Sequence, residues 1–452
     1  LSKKTKDMGN ELSNKKMKRR ALVGSTFGAV IEWYDFFLYA TASALIFPKL
    51  FFPDSDPFIA TLLSFATFAT GFLARPIGAV IFGHYGDRIG RKNALVITLW
   101  MMGLSSFLMG LLPTFATIGI WAPILLVILR LIQGIGVGGE WAGSILLSME
   151  WGSEKKKGFM ASVPNAGVGA GMLLSSAVVG LCLYISNDSF YTWGWRIPFL
   201  ASLLLLAAGV IIRNKILETP SFRQVKEVNQ VSKMPVLEVL KLYPKQVLYT
   251  GLAKFSEHAP FAIFTTFMIN YSINNFDVSS EYMVNVNILA SVLMCINIPL
   301  FGYLSDKVGI KRLYIVGVIA TLLFAFPYIG LMNTGVPGII LLATLLSMFP
   351  HNIQAGAQPA LVAQAFPARL RYSGASLGTQ IPAVFAGGIA PMVCTYLIQT
   401  TGSIYSIGFY IAFTSVVSLV GTILLKNLSN VSVDSEICKQ KMVLKSTEKA
   451  NA

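Results

Sequence analysis

The sequence predicts an all-α membrane protein: twelve transmembrane helices in two pseudo-symmetric six-helix bundles, with both termini cytoplasmic. Three observations carry this. Of 452 residues, 54% are hydrophobic and only 13% charged, at a mean hydropathy of +0.64, whereas soluble domains carry roughly 25% charged residues. The apolar residues fall in repeated stretches of about 20, the length that crosses a hydrocarbon core of ~30 Å. One glycine-, Asp- and Lys-bearing pattern also occurs twice, at matched places in the two halves.

In chain order, a basic cytoplasmic arm (1–20) precedes an N-terminal bundle (21–213) with spans at 21–47, 57–82, 93–112, 117–149, 158–184 and 193–213. A cytoplasmic linker (214–246) leads to a C-terminal bundle (247–425) with spans at 247–275, 282–303, 313–332, 336–362, 372–399 and 404–425, and a cytoplasmic tail (426–452) closes the chain. The first span is too long for a cleavable signal and carries Glu32 and Asp35 where an apolar region would stand. In span four, Gly134-Ile135-Gly136-Val137-Gly138-Gly139 superficially matches a dinucleotide fingerprint, but that motif needs a preceding strand. Inside a span, such glycines permit close helix crossing. Trp193 and Trp195, opening span six, suit the interfacial aromatic belt. Within the linker, Pro220 to Lys241 is expected to form a short amphipathic helix on the cytoplasmic face.

The net charge of +15 raises a nucleic-acid reading, which the placement of the charge opposes. With the N-terminus inside, Lys49 and Arg196 are the outer basic residues, Arg75, Arg130 and Lys254 lie within spans, and the rest of the 36 Lys and Arg fall on the inner side. That is the asymmetry of a multi-pass protein with cytoplasmic termini. The arm from Lys3 to Arg20 reads as an orientation signal beside anionic lipid. Cys182, Cys295, Cys394 and Cys438 contain no pair at metal-ligand spacing, so neither disulfide nor metal is expected.

Gly83-His84-Tyr85-Gly86-Asp87-Arg88-Ile89-Gly90-Arg91-Lys92 joins spans two and three, and Gly302-Tyr303-Leu304-Ser305-Asp306-Lys307-Val308-Gly309-Ile310-Lys311 joins spans eight and nine. Both are expected as short cytoplasmic loops at equivalent positions, the mark of an internal repeat. Glycine lets a helix end approach its neighbour, Asp suits a helix N-terminus, and the basic residues hold the loop inside.

This pattern resembles the signature of the major facilitator superfamily. Further matches narrow the resemblance to the metabolite:proton symporter family: Glu32-Trp33-Tyr34-Asp35-Phe36, Phe72-Leu73-Ala74-Arg75-Pro76-Ile77-Gly78, the run Pro113 to Pro123, Arg130 to Glu140, and Trp193 to Phe199. The resemblance is dense over residues 21–220 and thinner beyond. Relatives often carry an acid two residues before Phe366; here that residue is Gln364. The family implies secondary active uptake of a small polar metabolite with a proton, by alternating access between two bundles, for cargoes such as shikimate, α-ketoglutarate, citrate, or proline and betaine.

Ionisable groups deep in spans cost roughly 2.5 to 3.5 kcal/mol each on insertion scales and tend to face the bundle interior. Glu32 and Asp35, three apart on one face of span one, lie ~17 and ~21 Å from its cytoplasmic end at 1.5 Å per residue. They are the proton-coupling candidates. Arg130, then Arg75, are candidates for the cargo's carboxylate, joined by Lys254, His258, Trp33, Tyr34, Gln354 and Gln358 as further substrate-binding residues. Gly83, Asp87, Arg88, Gly90, Arg91, Lys92, Gly302, Asp306, Lys307, Gly309 and Glu140 are candidate conformational-motif residues. The alternative for the charges is structural: Glu32 or Asp35 bridging to Arg75, and Lys254 pairing with Glu257 at i,i+3 within its helix. His351, mid-way along span ten, is read as a packing residue rather than a proton relay.

These features favour proton-coupled symport of a small organic anion of shikimate type in a bacterial inner membrane. Partners are the cargo, protons and lipid, with no cofactor beyond the proton gradient, no nucleic acid, and a monomeric state expected. Proline- or betaine-type osmolyte uptake is the alternative, and a proton-antiport exporter is a third reading. An enzyme is disfavoured because no nucleophile-and-base set, metal spacing or phosphate loop occurs.

Overall fold

The computed structural model describes residues 2–89, 91–150, 156–186, 189–214, 235–367 and 370–429, with side chains described from residue 22 onward except at 83–84, 86–93, 150 and 214. Among these, no strand occurs and twelve helical spans follow one another. The first half comprises α1 (Ser2–Leu45), α2 (Pro57–Ile89), α3 (Arg91–Leu111), α4 (Trp121–Glu150), α5 (Lys157–Asn165 continued by Gly167–Ser186) and α6 (Arg196–Asn214, entered through a π-turn at Phe190–Gly194). The second comprises α7 (Pro244–Ala253, Phe255–Ala262, Ile263–Phe267 and Met268–Phe276), α8 (Ser280–Val308), α9 (Ile310–Met332), α10 (Pro337–Gln364), α11 (Arg371–Ala383, Val384–Gly388 and Ala390–Thr401) and α12 (Tyr405–Leu424).

Ten of these are long and apolar enough by themselves to cross a membrane. The other two are α1, which carries Glu32 and Asp35, and α7, which is interrupted at Lys254. Large apolar side chains such as Leu73, Trp100, Leu204, Leu323, Phe409 and Phe413 are exposed on the outside of the bundle, the face that lipid covers.

Two helices of the second half share a distortion. In α7, Pro260 precedes a π-turn at Ile263–Phe267; in α11, Pro382 precedes one at Val384–Gly388. Proline has no N–H to give the preceding turn and its ring crowds that turn's carbonyl, so the helix yields locally. Such π-turns recur at functional sites.

The repeated motif differs from expectation. Rather than a loop, most of each copy is helix: α2 runs to Ile89 and α8 to Val308. In the second copy the whole turn is Gly309, at φ +105°, a backbone conformation natural only to glycine. The side chains of Gly83, Asp87, Arg88, Gly90, Arg91 and Lys92 lie outside the described residues, as does the linker over 215–234. The expected linker helix is found in its last turns, Pro235–Leu242, with Pro235, Val239 and Leu242 buried.

Glycine also sets the crossing of α2 and α4. A Cβ at Gly134 would strike the carbonyl of Gly71, and one at Gly138 that of Arg75, so the two backbones touch where span four was read as glycine-rich for packing.

Candidate functional site

In the first half, α2 and α4 each bring one arginine into the bundle at these crossings. Arg130 is 3% exposed and Arg75 7%. The Arg130 guanidinium lies over the Tyr39 ring at 4.1 Å and near that of Phe68 at 5.4 Å, while Arg75 lies over Phe72 at 4.1 Å and near Phe36 at 5.4 Å. Phe36, Phe68 and Phe72 touch one another at 5.3–5.7 Å between centroids, so one aromatic cluster is flanked by two cations. Gly71 leaves the room that the Arg130 side chain fills. Arg130 donates to Gln133 Oε1, and Gln133 Nε2 donates to Ser106 Oγ at 2.6 Å. Among the described residues neither arginine forms an ion pair, and the Nε of each has no hydrogen-bond partner.

The acids of α1 diverge. Asp35 is 2% exposed; its Oδ1 accepts from Ser202 Oγ of α6 at 2.7 Å, and its Oδ2 is buried without a partner. Glu32, also buried, lies within electrostatic reach of Arg75, Arg213 and Glu140. The bridge from Glu32 or Asp35 to Arg75, weighed as a structural alternative, does not form. Glu140 is instead fully committed inside its own half: Arg213 clamps both carboxylate oxygens, with Thr98 and Ser144 donating at 3.0 Å. A buried carboxylate so satisfied is a strut between α3, α4 and α6.

In the second half the charges gather in one turn of α7. Lys254 Nζ stands 3.7 Å from Glu257 Oε2, and His258 Nδ1 shares a hydrogen bond of 2.5 Å with that same oxygen. Lys254 also lies over the Trp141 ring of α4 at 4.7 Å, reaching across to the first half. His351 of α10 stacks flat on Phe261 at 4.2 Å, Phe261 meets Phe37 of α1 at 5.7 Å, and His351 Nε2 is buried without a partner. The middle of the molecule is thus an aromatic bridge between halves, bordered by charges.

One end is closed by hydrogen bonds between halves. Asp306 accepts from the Gly158 and Phe159 N–H groups at 2.7 and 2.9 Å, capping the start of α5 from α8. Gly302 and Gly158 permit this approach, since a Cβ at Gly302 would meet the Ser162 hydroxyl and one at Gly158 that of Ser305. Tyr372 donates to Gly139 O at 2.7 Å and Asn165 to Ala355 O at 2.8 Å. At the opposite end, a cavity of about 790 Å³ opens between α1, α2, α7 and α11, with Lys49, Tyr191, Tyr271 and Gln399 on its wall. The end closed by these hydrogen bonds carries the repeated motif, so the cavity lies at the other, outer end.

The expected site residues therefore separate. Arg75, Trp33, Lys254 and His258 lie about the aromatic bridge. The Tyr34 hydroxyl is spent on Pro198 O at 2.7 Å, and Gln354 Nε2 on Thr321 Oγ1 at 2.7 Å within its own half. Gln358 is buried with its Nε2 unpartnered. Lys307 lies over the Tyr303 ring at 4.6 Å beside the cap. Sequence reading missed Arg213 as the partner of Glu140, counting it with the inside-positive residues. It also left out Ser202, Gln133, Tyr372 and Asn165, whose roles leave no trace in hydropathy.

Residues 26–391 match the Major Facilitator Superfamily. The chain belongs to the major facilitator superfamily. It is 41% identical over 414 residues to the shikimate transporter of Escherichia coli K12, covering 90% of this chain and 94% of that protein. It is 32% identical over 422 residues to the proline/betaine transporter of the same organism, covering 91% and 84%. Among solved structures, the proton:xylose symporter XylE bound to 6-bromo-6-deoxy-D-glucose superposes with a TM-score of 0.73 at 15% identity, covering 94% of this chain and 99% of that one. As a superfamily member the chain is a multi-pass membrane transporter, not an enzyme, and the twelve spans, the repeated motif and the paired halves are those of this fold.

Proposed function

We propose that the protein takes up a small organic carboxylate of shikimate type together with a proton, by alternating access across a bacterial inner membrane, as a monomer driven by the proton gradient without a cofactor. The observation that supports this reading best is the pair Arg75 and Arg130, buried and, among the described residues, in ion pairs with no carboxylate. Unpaired buried cations are costly, and a cargo carboxylate entering from the outer cavity supplies the missing charge. Arg130 and Arg75 attract it, with Lys254, His258, Trp33 and Gln358 as further contacts. Asp35, whose Oδ2 is free, carries the proton, and Glu32 is the second carrier: cargo on a neighbouring arginine removes the cation that favours the ionised acid. Asp306, with Gly302, Lys307 and Gly309, makes the inner gate that must break for release. Asp87, Arg88, Gly90, Arg91, Lys92 and Gly83 are assigned the matching role by the internal repeat.

A second reading, uptake of a zwitterionic osmolyte, draws support from the aromatic faces of Trp33, Phe36, Phe37 and Phe261 around the bridge, which suit a quaternary ammonium. Uptake of radiolabelled shikimate, α-ketoglutarate and proline into proteoliposomes, with and without an imposed pH gradient, decides between them. The expected result is ΔpH-dependent accumulation of the carboxylate. Transport indifferent to both ΔpH and voltage overturns the reading.

A further inference from the structure

Arg75 and Arg130 of the first half form no ion pair among the described residues, but α7 of the second half carries an acid already seated among cations. Glu257 Oε2 is the single atom that both Lys254 and His258 address, at 3.7 and 2.5 Å. Arg75, from the other half, acts electrostatically on Lys254 and His258. All of this is enclosed: the Lys254 side chain is 4% exposed, that of Glu257 12% and that of His258 15%. The acid thus sits where the charge of an anionic cargo would be welcome, on a helix that is interrupted at Lys254 and yields again at its π-turn.

We propose that Glu257 is a resident stand-in for the cargo: in the empty carrier its carboxylate occupies the Lys254–His258 clamp, and the cargo's carboxylate displaces it and takes the same cations. This rests on the carboxylate-uptake reading and adds to it a specific intramolecular competitor. Two carboxylates cannot share that clamp while both are ionised, because like charges at such distances in a buried site repel strongly. Displacement is therefore coupled to neutralisation of Glu257: a proton entering with the cargo binds its Oε2, with His258 Nδ1 as the adjoining group, while the cargo remains an anion on Lys254.

The other groups around Glu257 fit this assignment. His351 of α10, stacked on Phe261, acts on it directly, and its Nε2 is buried without a partner. Tyr314 of α9 lies within electrostatic reach, but its hydroxyl is spent on Ala253 O at 2.7 Å. From α12, Ser418 donates to that same carbonyl and Ser415 lies 3.4 Å from Ser256. On α11, Gly387 faces His258 with no side chain. Glu32 of α1 acts on Arg75, which in turn acts on Lys254 and His258.

A stand-in and a structural salt bridge predict opposite signs. Equilibrium binding of radiolabelled shikimate is measured on purified wild type, Glu257→Gln and Lys254→Met, at neutral and acidic pH, alongside ΔpH-driven accumulation in proteoliposomes. Removing a competitor tightens binding, so Glu257→Gln is expected to bind shikimate about tenfold more tightly at neutral pH, with less tightening on acidification, while Lys254→Met binds more weakly by at least as much. ΔpH-driven accumulation by Glu257→Gln falls. Glu257→Gln binding as weakly as Lys254→Met, or keeping the full pH dependence of the wild type, overturns the proposal. Should Glu257→Gln fail to fold by size exclusion, Glu257→Asp keeps the charge but retracts it from Lys254. It is then expected to lie between wild type and the tighter limit, and weaker binding than wild type counts against the stand-in. A wild type that neither binds nor accumulates shikimate fells the uptake reading for this cargo and the stand-in with it. Shikimate accumulation without the tightening fells the stand-in alone.

Discussion

The arginines of α2 and α4 and the charged turn of α7 arrange buried charge in contrary ways. In α2 and α4 the cations face aromatic rings and leave the acids of α1 to other partners, Asp35 to Ser202 among them. In α7 a lysine, an acid and a histidine occupy one helical turn and satisfy one another. The lesson is that similar composition yields different chemistry. Separated cations hold a standing attraction for an anion from outside, while a self-paired cluster must give up its own anion first.

This contrast can be broken, and the largest effect is expected at Arg130. Arg130→Gln should weaken shikimate binding about a hundredfold or more, the usual cost of removing one buried partner of an ion pair, whereas Arg130→Lys should recover only part because the planar contact with Tyr39 is lost. Equal affinity in Arg130→Gln and wild type would remove the first half from cargo binding. Next in size, Asp35→Asn is expected to abolish uphill accumulation under an imposed ΔpH while preserving shikimate counterflow. Retention of proton-driven accumulation by both Asp35→Asn and Glu32→Gln would move the coupling site entirely to α7.

A smaller effect sharpens the contrast at the inner gate. Asp306→Asn keeps the shape of the α5 cap but removes the charge that favours a helix N-terminus, so it should shift the carrier toward inward-facing by a few-fold, roughly 1 kcal/mol. Labelling of a cysteine placed at Ser162 reads this as faster modification from the inside; an unchanged rate shows the cap is not part of the gate. Smallest of all, Tyr34→Phe should lower thermal stability by about 1 kcal/mol through the lost bond to Pro198 O and leave the KM for shikimate unaltered. A raised KM would return Tyr34 to the cargo site.

How far the site was legible follows from these same residues. Arg75, Arg130 and Asp35 stand out in sequence because a charge inside an apolar stretch is expensive and so conspicuous. Their partners do not. Arg213 sits at the end of a span among ordinary basic residues, and nothing in its neighbourhood reveals that it reaches back to clamp Glu140. Asp306 was readable as a residue suited to a helix N-terminus, but the helix it caps belongs to the other half, 148 residues away in sequence. Tyr34 and Gln354 looked like pocket walls by residue type, and packing turned both inward.

The sequence alone determined the class, the spans, their orientation and the internal repeat, because hydropathy and charge placement are properties of contiguous segments answering to a bilayer of fixed thickness. Only the tertiary structure decided which buried charges meet. On a helix each residue turns the side chain by about 100°, so the rotation and crossing of neighbouring helices, set here by glycine contacts such as Gly134 with Gly71, select among partners that the one-dimensional pattern leaves equivalent.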